Sequence, residues 1–295
     1  MHLFSVIVAN YNNGRYLVEL IESIKKQSYA NWELVIVDDC STDNSVDIVT
    51  PYLQDSRIKL VQHTKNSGAG SAFNTGVKNS QGYVIGMLGA DDALVPEALE
   101  KMMGAHQRYQ NASLINSGSY DCDEKLTITG INKEFRGLAK NEQLIRVIPI
   151  SNFVTFKRSA YDKTEGFSTI LKKAVDHDLF LKLDEVGDLE FVDEPLYLYR
   201  RHGGGISQGD NSVKAAQFSL MARHHAYERR KKAGKPNLSK KEHAAMMRTY
   251  HMREAFFLRK INRTKSLRHL LTAAGYMPSI IGTKAFWSII YRNFV

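Results

Sequence analysis

Gly86-Met87-Leu88-Gly89-Ala90-Asp91-Asp92 closes an apolar run, residues 83–88, and leads into a helix expected near Pro96. Two adjacent carboxylates at the end of a strand do little for a fold, because like charges side by side need solvent or a counter-ion. A divalent cation bridging to a diphosphate would supply one. The plainer alternative is that Asp91 or Asp92 caps the following helix. The chain before this stretch weighs against the plainer one.

Working outward, residues 3–8 form a β-branched apolar run, broken by Asn10-Tyr11-Asn12-Asn13-Gly14. Tyr16, Leu17, Leu20, Ile21 and Ile24 then recur at helical spacing. A second strand, 33–37, ends in Asp38-Asp39, and Ser41 and Thr42 are N-cap candidates for a helix carrying Val46, Ile48 and Val49. Residues 58–61 predict a third strand and 68–77 a third helix. Strands apolar throughout, joined by helix-length crossovers, argue for an α/β fold with a mostly parallel sheet covered on both faces. Such sheets bind ligands at the carboxyl ends of their strands. Asp38-Asp39, the 66–70 loop and Asp91-Asp92 all fall there. One polar pair could be chance, but three clusters on one edge point to a nucleotide site.

A dinucleotide fold needs Gly-x-Gly-x-x-Gly directly after the first strand, where this chain has Asn-Tyr-Asn-Asn-Gly. There is no Gly-x-x-x-x-Gly-Lys-Ser/Thr loop either. Gly68-Ala69-Gly70 lies on the third crossover, where small residues permit close backbone approach.

Residues 5–12 (Ser-Val-Ile-Val-Ala-Asn-Tyr-Asn), 35–43 (Val-Ile-Val-Asp-Asp-Cys-Ser-Thr-Asp), 66–76, Gly82 and Ala90-Asp91-Asp92 together resemble the family 2 glycosyltransferases of the GT-A fold. So do Gly166-Phe167, residues 175–183 and Tyr199-Arg200-Arg201-His202. The resemblance covers roughly residues 3–208. It implies inverting transfer of a sugar from a nucleotide-diphosphate donor, with Mg²⁺ or Mn²⁺. By it, Asp39 is similar to the carboxylate that recognises the base, Asp38 steadies the same loop, and Asn10 and Tyr11 lie near base and ribose. Tyr11 packed beneath the loop is the structural alternative. Asn66 belongs to the donor-side loop, Asp91 matches the metal-binding carboxylate, and His202 is a phosphate or metal contact. Arg200 matches a donor-side position, whereas Arg201 is equally a solvated loop residue. The pattern usually opens with an aspartate where this chain has Gly89. That departure leaves weaker metal binding, an unusual donor or a non-catalytic nucleotide-sugar-binding relative open.

Inverting transfer also needs a carboxylate to take the acceptor's proton. The family usually carries Glu-Asp there, and Val175-Asp176 makes Asp176 the match. Asp178 is expected to cap or orient the helix over 179–183, with Lys182 pointing away from the site. Residues 141–148 predict a short helix and 151–157 a strand. The stretch 113–132 is patchier and carries no diagnostic pattern, with Tyr120, Asp121, Asp123 and Glu124 as candidates for an acceptor-side edge. The cation-flanked glycines at 203–205 suggest a loop able to close over a diphosphate.

These readings divide the chain into a catalytic domain, 1–209, and a helical extension, 210–295. The donor-binding half would cover about 1–110 and the acceptor-side half about 111–209. The extension holds eighteen Lys and Arg against four acidic residues, a net +14. The first 209 residues carry −5, which accounts for the chain's +9. Helices are expected over 213–232, 240–260 and 262–274, with another starting at Pro278. Without a recognisable module, nucleic acid is not an expected partner. An anionic membrane surface or self-association suits the basic tail better, alongside a saccharide or lipid-linked acceptor. Trp287, Ile289, Ile290 and Phe294 are the residues expected to insert shallowly into lipid, unless they dock on protein. Cys40 and Cys122 show no metal or disulfide spacing. With no signal-like amino end, the expectation is a cytoplasmic protein, peripheral on the inner face of the membrane.

Overall fold

The structure, a computed structural model, describes residues 1–150, 153–203 and 210–294. It divides into two units, Met1–Ser212 and Val213–Val295.

In the first unit, β1 (Phe4–Asn10), β2 (Trp32–Asp38), β3 (Ile58–Gln62) and β4 (Val84–Gly89) lie parallel in the order β3-β2-β1-β4. Every residue of β2 is buried, as a strand covered on both faces must be. The crossover helices are α1 (Gly14–Lys25), α2 (Ser45–Val49) and α3 (Ala69–Asn79). On α1, Tyr16, Leu17, Leu20, Ile21 and Ile24 turn inward, as their spacing predicts. Strand order reverses between β1 and β4, so a crevice opens at their carboxyl ends.

The chain continues through β5 (Ala93–Leu94), α4 (Ala98–Arg108), β6 (Ala112–Cys122), β7 (Ile128–Asn132) and β8 (Val154–Lys157). α5 (Arg158–Tyr161), α6 (Val175–Asp184) and β9 (Asp188–Arg200) complete the unit. β8 pairs antiparallel with β4 and β6. β9 runs parallel to β6 and brings Arg200 beside Cys122. The long ladders are the parallel ones, and one nine-stranded sheet results.

The patchy stretch over 113–132 is the long strand β6 with β7. Ser113, Asn116, Ser117 and Ser119 are buried in it, and small polar residues there mask the apolar pattern. Residues 141–148 form turns instead of a helix. Leu144 and Ile145 are both fully buried and anchor these turns in the core. Of the expected strand at 151–157, Ser151 and Asn152 lie outside the described residues. Lys182, expected to point away from the site, has specific partners. It is buried, paired with Asp178 at 2.7 Å, and donates to the Gly166 carbonyl at 2.8 Å.

The close approach expected at Gly70 is present. A Cβ there would fall 2.0 Å from the Ser168 carbonyl oxygen and 3.4 Å from Val175 Cγ1. Gly70→Ala should therefore cost about 1–3 kcal/mol of stability, read as a lower urea midpoint. A wild-type midpoint would contradict the contact.

The second unit is helical: α7 (Asp210–Lys232, beginning just before the unit boundary), α8 (Lys240–Leu258), α9 (Arg263–Tyr276) and α10 (Lys284–Phe294). Ser239 and Glu242 form a reciprocal capping box at the start of α8. The Asn262 side chain accepts from Lys265 N–H at the start of α9. Ala255, Leu270, Ile280, Phe286 and Ile289 make a small core, with Ile290 packed against it. This corrects the expected insertion of Ile289 and Ile290. With Phe286 they share one helical face and turn inward, while Trp287, 55% exposed, and Tyr291 face out. The Phe294 side chain lies outside the described residues. Among the described residues, no helix is long and apolar enough to cross a membrane.

Candidate active site

The carboxyl ends of β1 and β2 are tied together by side chains. Asn10 Nδ2 donates to Asp38 Oδ1 at 2.8 Å and to Ser41 Oγ at 3.2 Å. Asp38 Oδ2 accepts from Ser41 N–H at 2.9 Å. Asn10 Oδ1 is buried with no hydrogen-bond partner among the described residues. A buried acceptor left unspent is costly unless something donates to it. Asn12 Oδ1 accepts from Thr42 N–H at 2.7 Å, and Asp43 Oδ2 accepts from Gly14 N–H at 2.9 Å. Tyr11 stands 46% exposed on this edge, so it is not packed beneath the loop.

Asp39 is buried and fastens the loop between β3 and α3. Its Oδ1 takes His63 Nδ1 at 2.7 Å and Ser67 N–H at 2.8 Å, and its Oδ2 takes Gly68 N–H at 2.7 Å. His63 Nε2 meets Thr75 Oγ1 at 2.9 Å, which suits an Nδ1–H tautomer accepting from the threonine. Oδ2 takes only this one bond among the described residues and keeps a second lone pair. Asn66 lies exposed in the same loop. His63 was not among the expected site residues.

The two acids after β4 have separated roles. Asp92 is buried, its Oδ1 accepting from Arg200 N–H at 2.8 Å and its Oδ2 from the Tyr197 hydroxyl. Burial, and next the Asp91 charge, push the Asp92 carboxyl well above the usual range. Burial and the Asp92 carboxyl push the Tyr197 hydroxyl up in turn. Asp91 stays 25% exposed and faces His202 Nε2 at 2.9 Å, with the His202 side chain only 3% exposed. A Cβ on Gly89 would meet Asp92 Oδ2 at 2.6 Å and Tyr197 Oη at 3.0 Å. The Asp92–Tyr197 pair thus crowds the position where the expected extra acid would sit.

Arg200, expected at the donor, is 1% exposed at its side chain. Nε donates to the Asp91 carbonyl at 2.6 Å, Nη2 to Glu19 Oε2 at 3.0 Å, and Nη1 to the Glu124 carbonyl. The guanidinium also stacks over Tyr16 at 4.4 Å. It braces the Asp91 backbone from behind, where it cannot serve as an open anion ligand. Because lysine cannot reproduce a planar three-way fork, Arg200→Lys should cost about 2–4 kcal/mol in chemical denaturation. An unchanged unfolding midpoint would mean the brace is idle. Arg201, by contrast, pairs with Asp121 at 2.9 Å on the surface, and residues 204–209 of the expected closing loop lie outside the described residues.

Asp176 sits half-buried in the first turn of α6, its Oδ1 accepting from His177 N–H at 2.9 Å. The approach to it is clamped on α3. Asn74 takes Phe167 N–H at 2.9 Å and the Tyr161 hydroxyl at 2.6 Å on Oδ1, and gives Nδ2 to the Phe167 carbonyl at 2.9 Å. Ala174, just before α6, is left-handed at φ 54°, as are Cys40 (64°) and Asn12 (56°) at the strand ends. Left-handed backbone outside glycine costs on the order of 1–2 kcal/mol, and such strain gathers at functional edges. Asp178, two residues on, is buried against Lys182 and does not face outward.

Asp91 and His202 also fit a divalent cation. Neighbouring ligands about 2.1 Å from one octahedral ion stand about 3 Å apart, close to the observed 2.9 Å.

The family model "Glycosyl transferase family 2" matches residues 5–176, more than half of the chain. A chondroitin synthase of Escherichia coli is 31% identical over 227 residues, which are 74% of this chain and 32% of that protein. The chain therefore spans about a third of that relative's length. S. aureus TarS 1-349, solved in complex with UDP-GlcNAc, superposes with a TM-score of 0.58 at 21% identity, covering 84% of this chain and 65% of that one. The mannosyltransferase PcManGT from Pyrobaculum calidifontis, solved with GDP-Man and Mn²⁺, gives 0.54 at 16% identity, over 99% and 86%. These two likenesses bear on the fold alone, which is the α/β GT-A architecture. The match over β1 to the start of α6 carries the conclusion that the chain belongs to glycosyl transferase family 2.

Proposed function

We propose that the protein is an inverting glycosyltransferase. It would move a sugar from a nucleotide-diphosphate donor to a saccharide or lipid-linked acceptor in surface polysaccharide synthesis. The observation that carries this is the carboxyl edge of the sheet, which holds the unspent Asn10 acceptor, the second lone pair of Asp39 Oδ2 and the Asp91–His202 pair. Asn10 and Asp39 would accept from the base edge, with Asp38 and Asn66 shaping the loops and Tyr11 lying over the base or ribose. A uracil-like edge, with its ring N–H, matches these acceptors. Asp91 and His202 would hold Mg²⁺ or Mn²⁺, which when bound offsets the diphosphate's charge. Asp176 would take the proton of the acceptor hydroxyl as its oxygen attacks the anomeric carbon. The bond to the diphosphate breaks on the opposite face, so configuration inverts. Likeness to a chondroitin synthase supports a polysaccharide acceptor.

Gly89 favours a second reading, nucleotide-sugar binding without transfer, because the Asp92–Tyr197 pair crowds the usual acid's place. Incubation with a panel of nucleotide sugars, Mg²⁺ or Mn²⁺ and candidate acceptors separates the two. Donor turnover with a glycosylated product supports transfer. Tight binding without product across the panel supports the second reading.

The basic helical unit would bring the enzyme to an anionic surface on the cytoplasmic face of the membrane. Full-length protein should bind anionic vesicles, and 0.5 M salt or thereabouts should release it, since attraction decays within roughly 3–8 Å at such ionic strengths. Replacing outward Trp287 and Tyr291 with Ser should weaken binding about tenfold, the equivalent of about 1.4 kcal/mol. Indifference to anionic vesicles at low salt would leave self-association as the better role for this face.

A further inference from the structure

The helical unit contains a cluster that none of the transfer chemistry uses. His224 and Glu228 stand one turn apart on α7, and His243 lies in the first turn of α8. A ligating atom from each lies within 4.8 Å of the others. We propose that His224, Glu228 and His243 bind a borderline transition-metal cation, Zn²⁺ by donor chemistry, which staples α7 to α8.

Three features of the geometry support this. First, two imidazole nitrogens and one carboxylate are the donor set of open tetrahedral zinc sites, with water in the fourth place. Second, His224 Nδ1 and His243 Nε2 face each other at 2.9 Å. Ligands about 2.0–2.1 Å from a tetrahedral ion stand about 3.3–3.4 Å apart, so a small outward shift admits the ion. Third, the His243 ring is already oriented, stacked on Tyr227 at 3.7 Å and 7°. The Asn237 side chain fixes the Tyr227 carbonyl at 2.8 Å.

The protonation state is also favourable. Burial holds both His224 and His243 below the ordinary imidazole range, so their lone pairs are available at neutral pH. Glu228 makes no hydrogen bond or ion pair among the described residues, which leaves its carboxylate to ligate. Binding would replace one His–His hydrogen bond and shift one ring tautomer. The basic tail opposes a cation, and Lys231 is felt at His243. That repulsion is screened beyond about 8 Å, whereas the donor atoms act at contact. The similar pair His251 and His269, with Nδ1 atoms 2.9 Å apart, has no third ligand among the described residues. It serves as the internal comparison.

The test uses chelator-treated full-length protein, titrated with Zn²⁺ by calorimetry and with Co²⁺ as an absorbing probe of tetrahedral geometry. Asp91→Asn is included to silence the proposed cation pair in the first unit. One Zn²⁺ should remain bound in Asp91→Asn, with a tetrahedral Co²⁺ spectrum. His224→Gln should weaken that site at least roughly 10²-fold and Glu228→Gln at least roughly tenfold, and His251→Gln should leave it unchanged. Zn²⁺ should raise the unfolding temperature of wild type but not of Glu228→Gln. Since Glu228 makes no hydrogen bond or ion pair among the described residues, its variant decides the matter even if a histidine variant misfolds. No Zn²⁺ binding in Asp91→Asn, or equal binding in Glu228→Gln and His224→Gln, overturns the proposal.

Discussion

Asp176→Asn should lower turnover by roughly 10² to 10⁴ while donor affinity stays within a few-fold of wild type. The substitution suits the question because asparagine keeps the oxygen that accepts from His177 N–H at 2.9 Å. Local structure at the start of α6 is thereby retained and only basicity is removed. Initial rates with a competent acceptor, set beside calorimetric donor binding, separate chemistry from binding. Near-normal turnover would remove Asp176 from the role of base. Asp178 could not then substitute, because its carboxylate is buried against Lys182 at 2.7 Å.

The second large effect belongs to Asp91. Asp91→Asn preserves a partner for His202 but removes the carboxylate charge that would hold the divalent cation, and with the cation the compensation of the leaving diphosphate. Loss of one well-placed stabilising interaction costs on the order of 10²- to 10³-fold in rate. Nucleotide binding should also lose most of its dependence on Mg²⁺ or Mn²⁺. If binding remains as metal-sensitive as in wild type, the cation is held elsewhere. Asp92→Asn is a poor substitute for this experiment. Asp92 takes Tyr197 and Arg200 in the core, so its loss would be read as misfolding.

The parallel half of the sheet was legible because β1, β2 and β4 are apolar on both faces, a pattern that survives without any tertiary information. Asp38, Asp39 and Asp91 were legible for the complementary reason, as acids placed where such strands run out. His63 and Tyr197 were not. His63 reaches Asp39 across 24 positions and Tyr197 reaches Asp92 across 105, and no local pattern encodes either distance. Arg200 was read as a donor contact from its place in a motif. Its actual partners, Glu19, Glu124 and the Asp91 carbonyl, come from three separate stretches of chain. In β6 the signal was masked by small polar residues that are nonetheless buried. In the tail, helical spacing was visible, but which isoleucines faced inward depended on the small core they build with α8 and α9.

The missing side chain at Gly70 couples two jobs that kinetic experiments usually hold apart. The loop that Asp39 fastens runs directly into α3, whose first turn abuts Ser168 and Val175 with no room for a methyl group. Asp176 is the next residue along. A disturbance of residues 66–70 would thus reach Asp176, the carboxylate proposed as the base, through this contact. Variants there should lose kcat along with donor affinity, and a change of nucleobase that fits the loop poorly should slow the chemical step itself.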